Sequence, residues 1–511
     1  MKKFVKDNKK SIIAAYIFTL LCFGFMLVHY TLSIDEETHV LGQAAETFWL
    51  SQSRWGVTLF NLIFTRSGEF VPFLWDFLAV SLWFASGVVL LFGLKRECGK
   101  LPQFASFLFL AYFSSLPYVM SEIMAFSMFS LQVSVGIFCA ALGFVLTRDY
   151  FEHGNRKLWI PIVLLLTYAT AIYQAPVCIY ITAIAAYCLM GVLKGEYKIW
   201  KKIYTAGILC LVSIALYGVI NMITTSFIPG NDYLAGNYIG WFSGKGIVHT
   251  LLYSILNVAR VSLGITYRGN SIYSGGILFV VTVCFVIWAV FTFVKTHEKG
   301  GKSRILFLTV ALALSPFLMY IAMGDYATQG RHMLSLTLAG AVELYLVYES
   351  FQGKKVRMIC AVLASYLLFV NCRDMNMLYY YDAIRYDKDV ATAHEVMHDI
   401  EKLGYDYHTK PIVFIGKYDM DNIPIAGSQT LGMGASFWQW DDGNMSRIQD
   451  FLEVEGYETI ESDGVQRQEA LTYKDSMSKW PQEGSIIETE DIIIVKFSEP
   501  TEIWYETNNV R

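Results

Sequence analysis

Long apolar runs separated by short polar segments dominate the chain up to about residue 372. A helix needs roughly 20 apolar residues to cross a bilayer core of about 30 Å. Runs of that kind fall near 11–31, 71–94, 101–118, 123–147, 158–174, 176–193, 203–223, 274–294, 304–323, 333–349 and 357–372. The pattern predicts a polytopic α-helical membrane protein of about eleven transmembrane helices. Tyr173-Gln174-Ala175-Pro176 separates two of these runs, and proline disfavours a helix through it, so a tight turn is expected there. Beyond 373 the pattern changes. Residues 387–403 show helical periodicity, 411–416 (PIVFIG) reads as a strand, and 486–497 reads as two more. Two parts follow: a transmembrane domain, 1–372, and a small soluble α/β domain, 373–511.

The polar connections set the orientation. Five lysines precede the first run, which lacks a small-x-small cleavage site and is expected to stay as a signal anchor. Every second connection is then basic: Lys95, Arg96 and Lys100; Arg148, Arg156 and Lys157; 194–202; 295–304; Lys354, Lys355 and Arg357. The positive-inside rule places these in the cytoplasm with the N-terminus, and the C-terminal domain outside. The outward segments are 31–70, 224–273 and 324–332. Two stretches in them, 39–50 and 247–263, have the size of helices lying on the membrane surface, or packed on the bundle.

Composition sharpens the division. Residues are 55% hydrophobic and 16% charged, against about 25% charged in soluble domains. From Arg373 onward there are 27 acidic and 12 basic residues; up to Cys372 there are 17 and 28. A basic apolar part thus precedes an acidic one, and no nucleic-acid partner is expected. All nine cysteines lie in the apolar part and none forms a CxxC pair, which argues against a disulfide framework or a thiolate zinc site.

Candidate chemistry gathers on the outward side. Asp35, Glu36 and Glu37 follow the first run directly. Neighbouring carboxylates raise one another's proton affinity, and a carboxylate so placed suits a general base toward a hydroxyl. A solvated acidic loop is the bland alternative. Arg54, Arg66, Arg260, Arg268 and Arg331 also face outward, whereas the lysines lie almost entirely inside. Arginine binds phosphate bidentately in a way lysine cannot, so a lipid-phosphate substrate is suggested.

The motifs SIDEE (Ser33 to Glu37), SRWG (Ser53 to Gly56), IYQAP (Ile172 to Pro176), QGRHML (Gln329 to Leu334) and NMLYYYDAIRYDKD (Asn376 to Asp389) carry a resemblance. In their order relative to the spans, the chain resembles the serotype-converting glucosyltransferases of the GT-C class, the Gtr type II family. The resemblance implies glucose transfer from an undecaprenyl-phosphate donor to a cell-surface polysaccharide acceptor, with inversion, at the bilayer's outer face. Asp35 would be the base and Glu36 its assistant. Arg54 and Arg331 would hold the donor phosphate, with Arg268 a weaker candidate. Trp55, Tyr173 and Gln174 would line the sugar site, and Glu122 is a further candidate acid. A divalent metal is possible, though no residue requires it.

His394-Glu395-Val396-Met397-His398 matches HExxH, the helix-borne zinc signature of metalloproteases. Val390, Ala393, Val396, Met397 and Ile400 form one apolar face with the histidines at its edge, the pattern of a packed surface helix. A polysaccharide polymerase or transporter is the remaining alternative, since these too combine many spans with outward arginines.

Overall fold

The computed structural model describes residues 1–43, 47–65, 71–98, 102–228, 240–242, 245–266, 272–298, 300–324, 329–419 and 435–510, with 96–98 described by their backbone alone. Arg66 and Arg268 lie outside the described residues. Two compact units divide the chain. The first comprises Met1–Val28, Ala45–Ser67 and Val71–Met377; the second comprises His29–Ala44, Gly68–Phe70 and Leu378–Arg511.

The first unit is helical among its described residues. Seven helices are long and apolar enough to cross a membrane: Pro72–Lys95, Ser130–His153, Pro176–Leu193, Trp200–Thr225, Gly275–Lys295, Gly301–Met323 and Lys354–Lys402. The pair Gln103–Phe113 and Pro117–Met124, bent by 52°, brings the number to as many as eight. The bend falls where Pro117 opens the second helix and holds Leu116 extended. Apolar length and helix length part company elsewhere. The run at 11–31 breaks into Lys9–Cys22 and Gly24–Val28. The run at 158–174 yields Trp159–Ile172, which stops at the extended Tyr173, and that at 333–349 yields Leu336–Ser350. The helix expected from 123 starts only at Ser130, so Glu122 sits inside Pro117–Met124 and not in a connection between spans. The helical segments expected at 357–372 and 387–403 are one 49-residue helix, Lys354–Lys402, which contributes to both units.

In the second unit, strands β1 (Ile412–Ile415), β2 (Ile486–Glu488) and β3 (Ile493–Lys496) form a sheet of order β1-β3-β2. β1 and β3 run parallel with Ile412 opposite Ile493, and β2 is antiparallel to β3 with Ile486 opposite Val495. All side chains of β1 and β3 are buried, as expected for strands covered on both faces. The core joins these strands to Val396, Met397 and Ile400 of the long helix and to the fully buried Trp438 and Trp504. Leu32 and Ile34, which flank Ser33 of the acidic motif, belong to the same core. Their burial explains why 29–44 folds with residues some 350 positions later.

Candidate active site

Within the first unit, the SRWG and IYQAP motifs meet, Gly56 lying against the backbone at Ile172. Gly56, first residue after Trp55, packs so closely on the end of Trp159–Ile172 that a Cβ there would lie 2.7 Å from Ala171 C and Ile172 N. Tyr217 from Trp200–Thr225 donates to Ser53 O at 2.9 Å, and Gln174 Nε2 donates to the Tyr217 hydroxyl at 3.0 Å. Asn221 Nδ2 donates to Ser53 Oγ at 3.1 Å. Ser53 needs such support because its φ of 58° is left-handed, which few residues other than glycine adopt freely. Gln174 therefore braces the turn that carries Arg54.

Arg54 lies over three aromatic rings, its Cζ 4.9 Å from the Phe129 centroid, 5.1 Å from Tyr173 and 5.8 Å from Trp49. Trp49 stacks on Phe129 at 4.9 Å, and Tyr173 meets Phe129 edge-on at 5.7 Å. Each such cation–π contact contributes about 0.5–2 kcal/mol, the more so when water is excluded. Trp55 lies outside this set; its indole N–H is buried and has no hydrogen-bond partner among the described residues.

Arg331 is positioned differently. Its segment Gly330–Met333 is a single 3-10 turn. It presses so tightly on Pro117–Met124 that a Cβ at Gly330 would stand 1.8 Å from Tyr118 O. Only glycine fits. The approach lets Glu122 Oε2 accept the Arg331 backbone N–H at 3.0 Å. The Arg331 guanidinium lies over Phe126, 5.5 Å from its centroid. Among the described residues it has no side-chain hydrogen bond or ion pair.

His332 links the two arginines. Its ring faces Tyr173 at 6.4 Å between centroids. Burial, reinforced by the charges of Arg331 and Arg54, pushes its imidazole down to about 3, so it is neutral at ordinary pH. Phe126 and Phe129, the platforms under the two guanidiniums, belong to one loop. That loop is tied to the buried Asp76, which accepts Ser127 Oγ at 2.9 Å and Ser130 Oγ at 3.4 Å.

Asp35 and Glu36 belong to the second unit. Asp35 begins the helix Glu36–Val40 with a left-handed φ of 83°. Its carbonyl accepts Thr38 Oγ1 at 3.0 Å and pairs with His39 Nδ1 at 3.2 Å. Glu36 is fully buried and accepts Ser33 N at 2.9 Å, closing a turn on its own chain. Arg447 bonds both Asp35 and Glu37. Burial pushes the Glu37 carboxyl up, against the opposing charge and hydrogen bond of Arg447.

The HExxH segment behaves as a packed helix. His394, Glu395 and His398 are exposed, Val396 and Met397 are in the core, and His394 Nδ1 pairs with the Tyr457 hydroxyl at 2.7 Å. Among the described residues, no group of three or more His, Cys, Asp or Glu side chains converges as a metal site would require.

The family model for glucosyl transferase GtrII matches residues 24–342, more than half of the chain. The chain belongs to the GtrII glucosyl transferase family. GtrII membership supports a glycosyltransferase role, with a sugar donor and an acceptor. Comparison with curated proteins and with solved structures returned no match.

The GtrII match includes SIDEE, SRWG, IYQAP and QGRHML but stops before Arg447. Sequence reasoning missed His332, Phe126, Phe129 and Asp76. Phe126, Phe129 and Asp76 carry no motif, and the only available signal for His332 was its place next to Arg331.

Proposed function

We propose that this GtrII-family protein transfers glucose, with inversion, from undecaprenyl phosphate to a cell-surface polysaccharide. The reaction is assigned to the outer face of the bacterial cytoplasmic membrane. In this reading the chain has eleven spans, an inner N-terminus and an outer C-terminal domain. The observation that carries it is the Arg331 guanidinium: partly exposed, seated on Phe126, and in no ion pair among the described residues, with the buried Glu122 bound to its backbone N–H and acting on its charge from a greater distance. An arginine so held suits a phosphate, which takes its planar fork bidentately.

In the reaction, Asp35 accepts the proton of the acceptor hydroxyl as its oxygen attacks the anomeric carbon. The carbon–oxygen bond to phosphate breaks on the opposite face, and the lipid phosphate leaves. Arg54 and Arg331 stabilise the charge that develops on it, the kind of task that dominates such barriers. Arg268 is proposed as a further phosphate contact, Glu36 as a support for Asp35, and Trp55, Tyr173 and Gln174 as the sugar's surroundings.

Glu122 invites a second assignment, because it is the carboxylate within the arginine cluster. Its grip on the Arg331 backbone instead favours orientation of that arginine. Rates of Asp35→Asn and Glu122→Gln separate the two. Loss of a general base costs about 10²–10⁴-fold, and that loss is expected in Asp35→Asn. If it appeared in Glu122→Gln alone, the base role would pass to Glu122. Glycan analysis of wild-type and deletion strains tests the reaction itself, with loss of a side-chain glucose expected.

A further inference from the structure

Asp35 is strained at its backbone and partly exposed at its carboxylate, so its orientation needs an external hold. The hydrogen bonds of Thr38 and His39 go to its carbonyl and leave the side chain to Arg447. That guanidinium takes two carboxylates of one motif, with Nη1 on Glu37 Oε1 and Nη2 on Asp35 Oδ1. The two partners differ in burial: the Glu37 side chain is 0% exposed and that of Asp35 38%. Glu37 thus anchors the fork on its buried side, and the other prong holds Asp35 where solvent, or a substrate, can reach it.

Arg447 itself is rigidly placed. It lies in the first turn of the helix Met445–Val454, whose start is fixed by Asn444 Oδ1 accepting Arg447 N at 3.3 Å and by Asn508 Oδ1 accepting Met445 N at 2.9 Å. The helix buries Ile448, Phe451 and Leu452 in the core shared with Leu32 and Ile34. Sequence offers no hint of this contact, which joins residues 412 positions apart.

We propose that Arg447 is a positioning residue of the transferase, aiming the Asp35 carboxylate through a fork anchored on Glu37. The inference rests on Asp35 as the base. It gives the C-terminal part of the chain, outside the family match, a direct share in the reaction. The prong on the partly exposed Asp35 contributes little to folding, and loss of the prong on the buried Glu37 destabilises the unit; a small misplacement of a reacting group costs about 10²-fold in rate of the folded protein.

The test compares Arg447→Ala, Arg447→Lys, Arg467→Ala and Asp35→Asn in the full-length protein. Initial rates use polyprenyl-phosphate-linked glucose and the surface polysaccharide, normalised to folded protein. Arg447→Ala is expected to lose about 10–100-fold in kcat with an unchanged donor KM. Arg447→Lys should recover part, since an ammonium supplies charge without the two-pronged fork. Arg467, a mostly buried arginine of the same unit, holds Ser462, the Asn508 carbonyl and the exposed Glu461, and its alanine variant should keep kcat. Full kcat in Arg447→Ala beside an inactive Asp35→Asn overturns the positioning role and leaves the base standing. A raised donor KM, or an equal kcat loss in Arg467→Ala, overturns it as well. Activity in Asp35→Asn overturns the base assignment and the inference with it.

Discussion

Arg54 and Arg331 in the first unit rest on aromatic faces, while Arg385 and Arg447 in the second are gripped by carboxylates. Arg385 binds Asp382 at 3.0 Å and Asp389 at 2.9 Å, and donates to Leu32 O at 2.9 Å and Ala435 O at 3.0 Å. The same residue type therefore does different work. A guanidinium enclosed by two carboxylates is compensated: Arg385, with both partners buried, is a structural node, whereas Arg447 has one prong on the buried Glu37 and one on the partly exposed Asp35. A ring face holds the plane of the guanidinium and adds no opposite charge, so an anion can still gain from it.

The largest effect is expected at Arg385. Arg385→Ala strands two buried carboxylates, and removing one partner of a buried pair costs about 3–5 kcal/mol. Thermal unfolding should show the second unit lost or strongly destabilised; near-wild-type stability would show that the node does not hold it. Arg331→Ala should leave stability nearly unchanged and cut transfer by about 10²–10³-fold, as for removal of one donor to transition-state charge. A stability loss with intact specific activity would reverse the contrast between the units.

His332 offers a smaller, pH-dependent test. Its folded value of about 3 lies below an unfolded value of about 6.5. The stability it contributes is therefore complete above about 6.5 and is lost as pH falls toward about 3. His332→Gln cannot take up that proton, so its unfolding temperature should fall less on acidification than that of the wild type. Parallel pH profiles would refute the assignment. The smallest effect is expected for His394→Ala combined with His398→Ala. Surface changes usually stay within about 0.5 kcal/mol, and transferase activity should persist. Loss of activity together with bound zinc would restore the HExxH motif to the mechanism.

Periodicity was enough to mark several of the apolar helices, the Tyr173 to Pro176 turn and the exposed edge occupied by His394 and His398, because each depends on residues near one another in the chain. Charge asymmetry likewise set a basic apolar part against an acidic one. The motifs around Asp35, Arg54 and Arg331 were visible as short words, and the family match covers them. Helix ends were less legible: the break before Ser130 depends on Ser127 and Ser130 finding Asp76, some 50 residues away. Nor did local pattern show that Leu32 and Ile34 belong to the core of the C-terminal part, or that Gly330 must be glycine because Tyr118 O lies against it. The sequence determined which residues prefer apolar surroundings and which carry charge, since those are properties of side chains and their near neighbours. Which arginine received a ring and which a carboxylate was decided only by the tertiary structure, because a charge is neutralised by whatever packing places within a few ångströms of it.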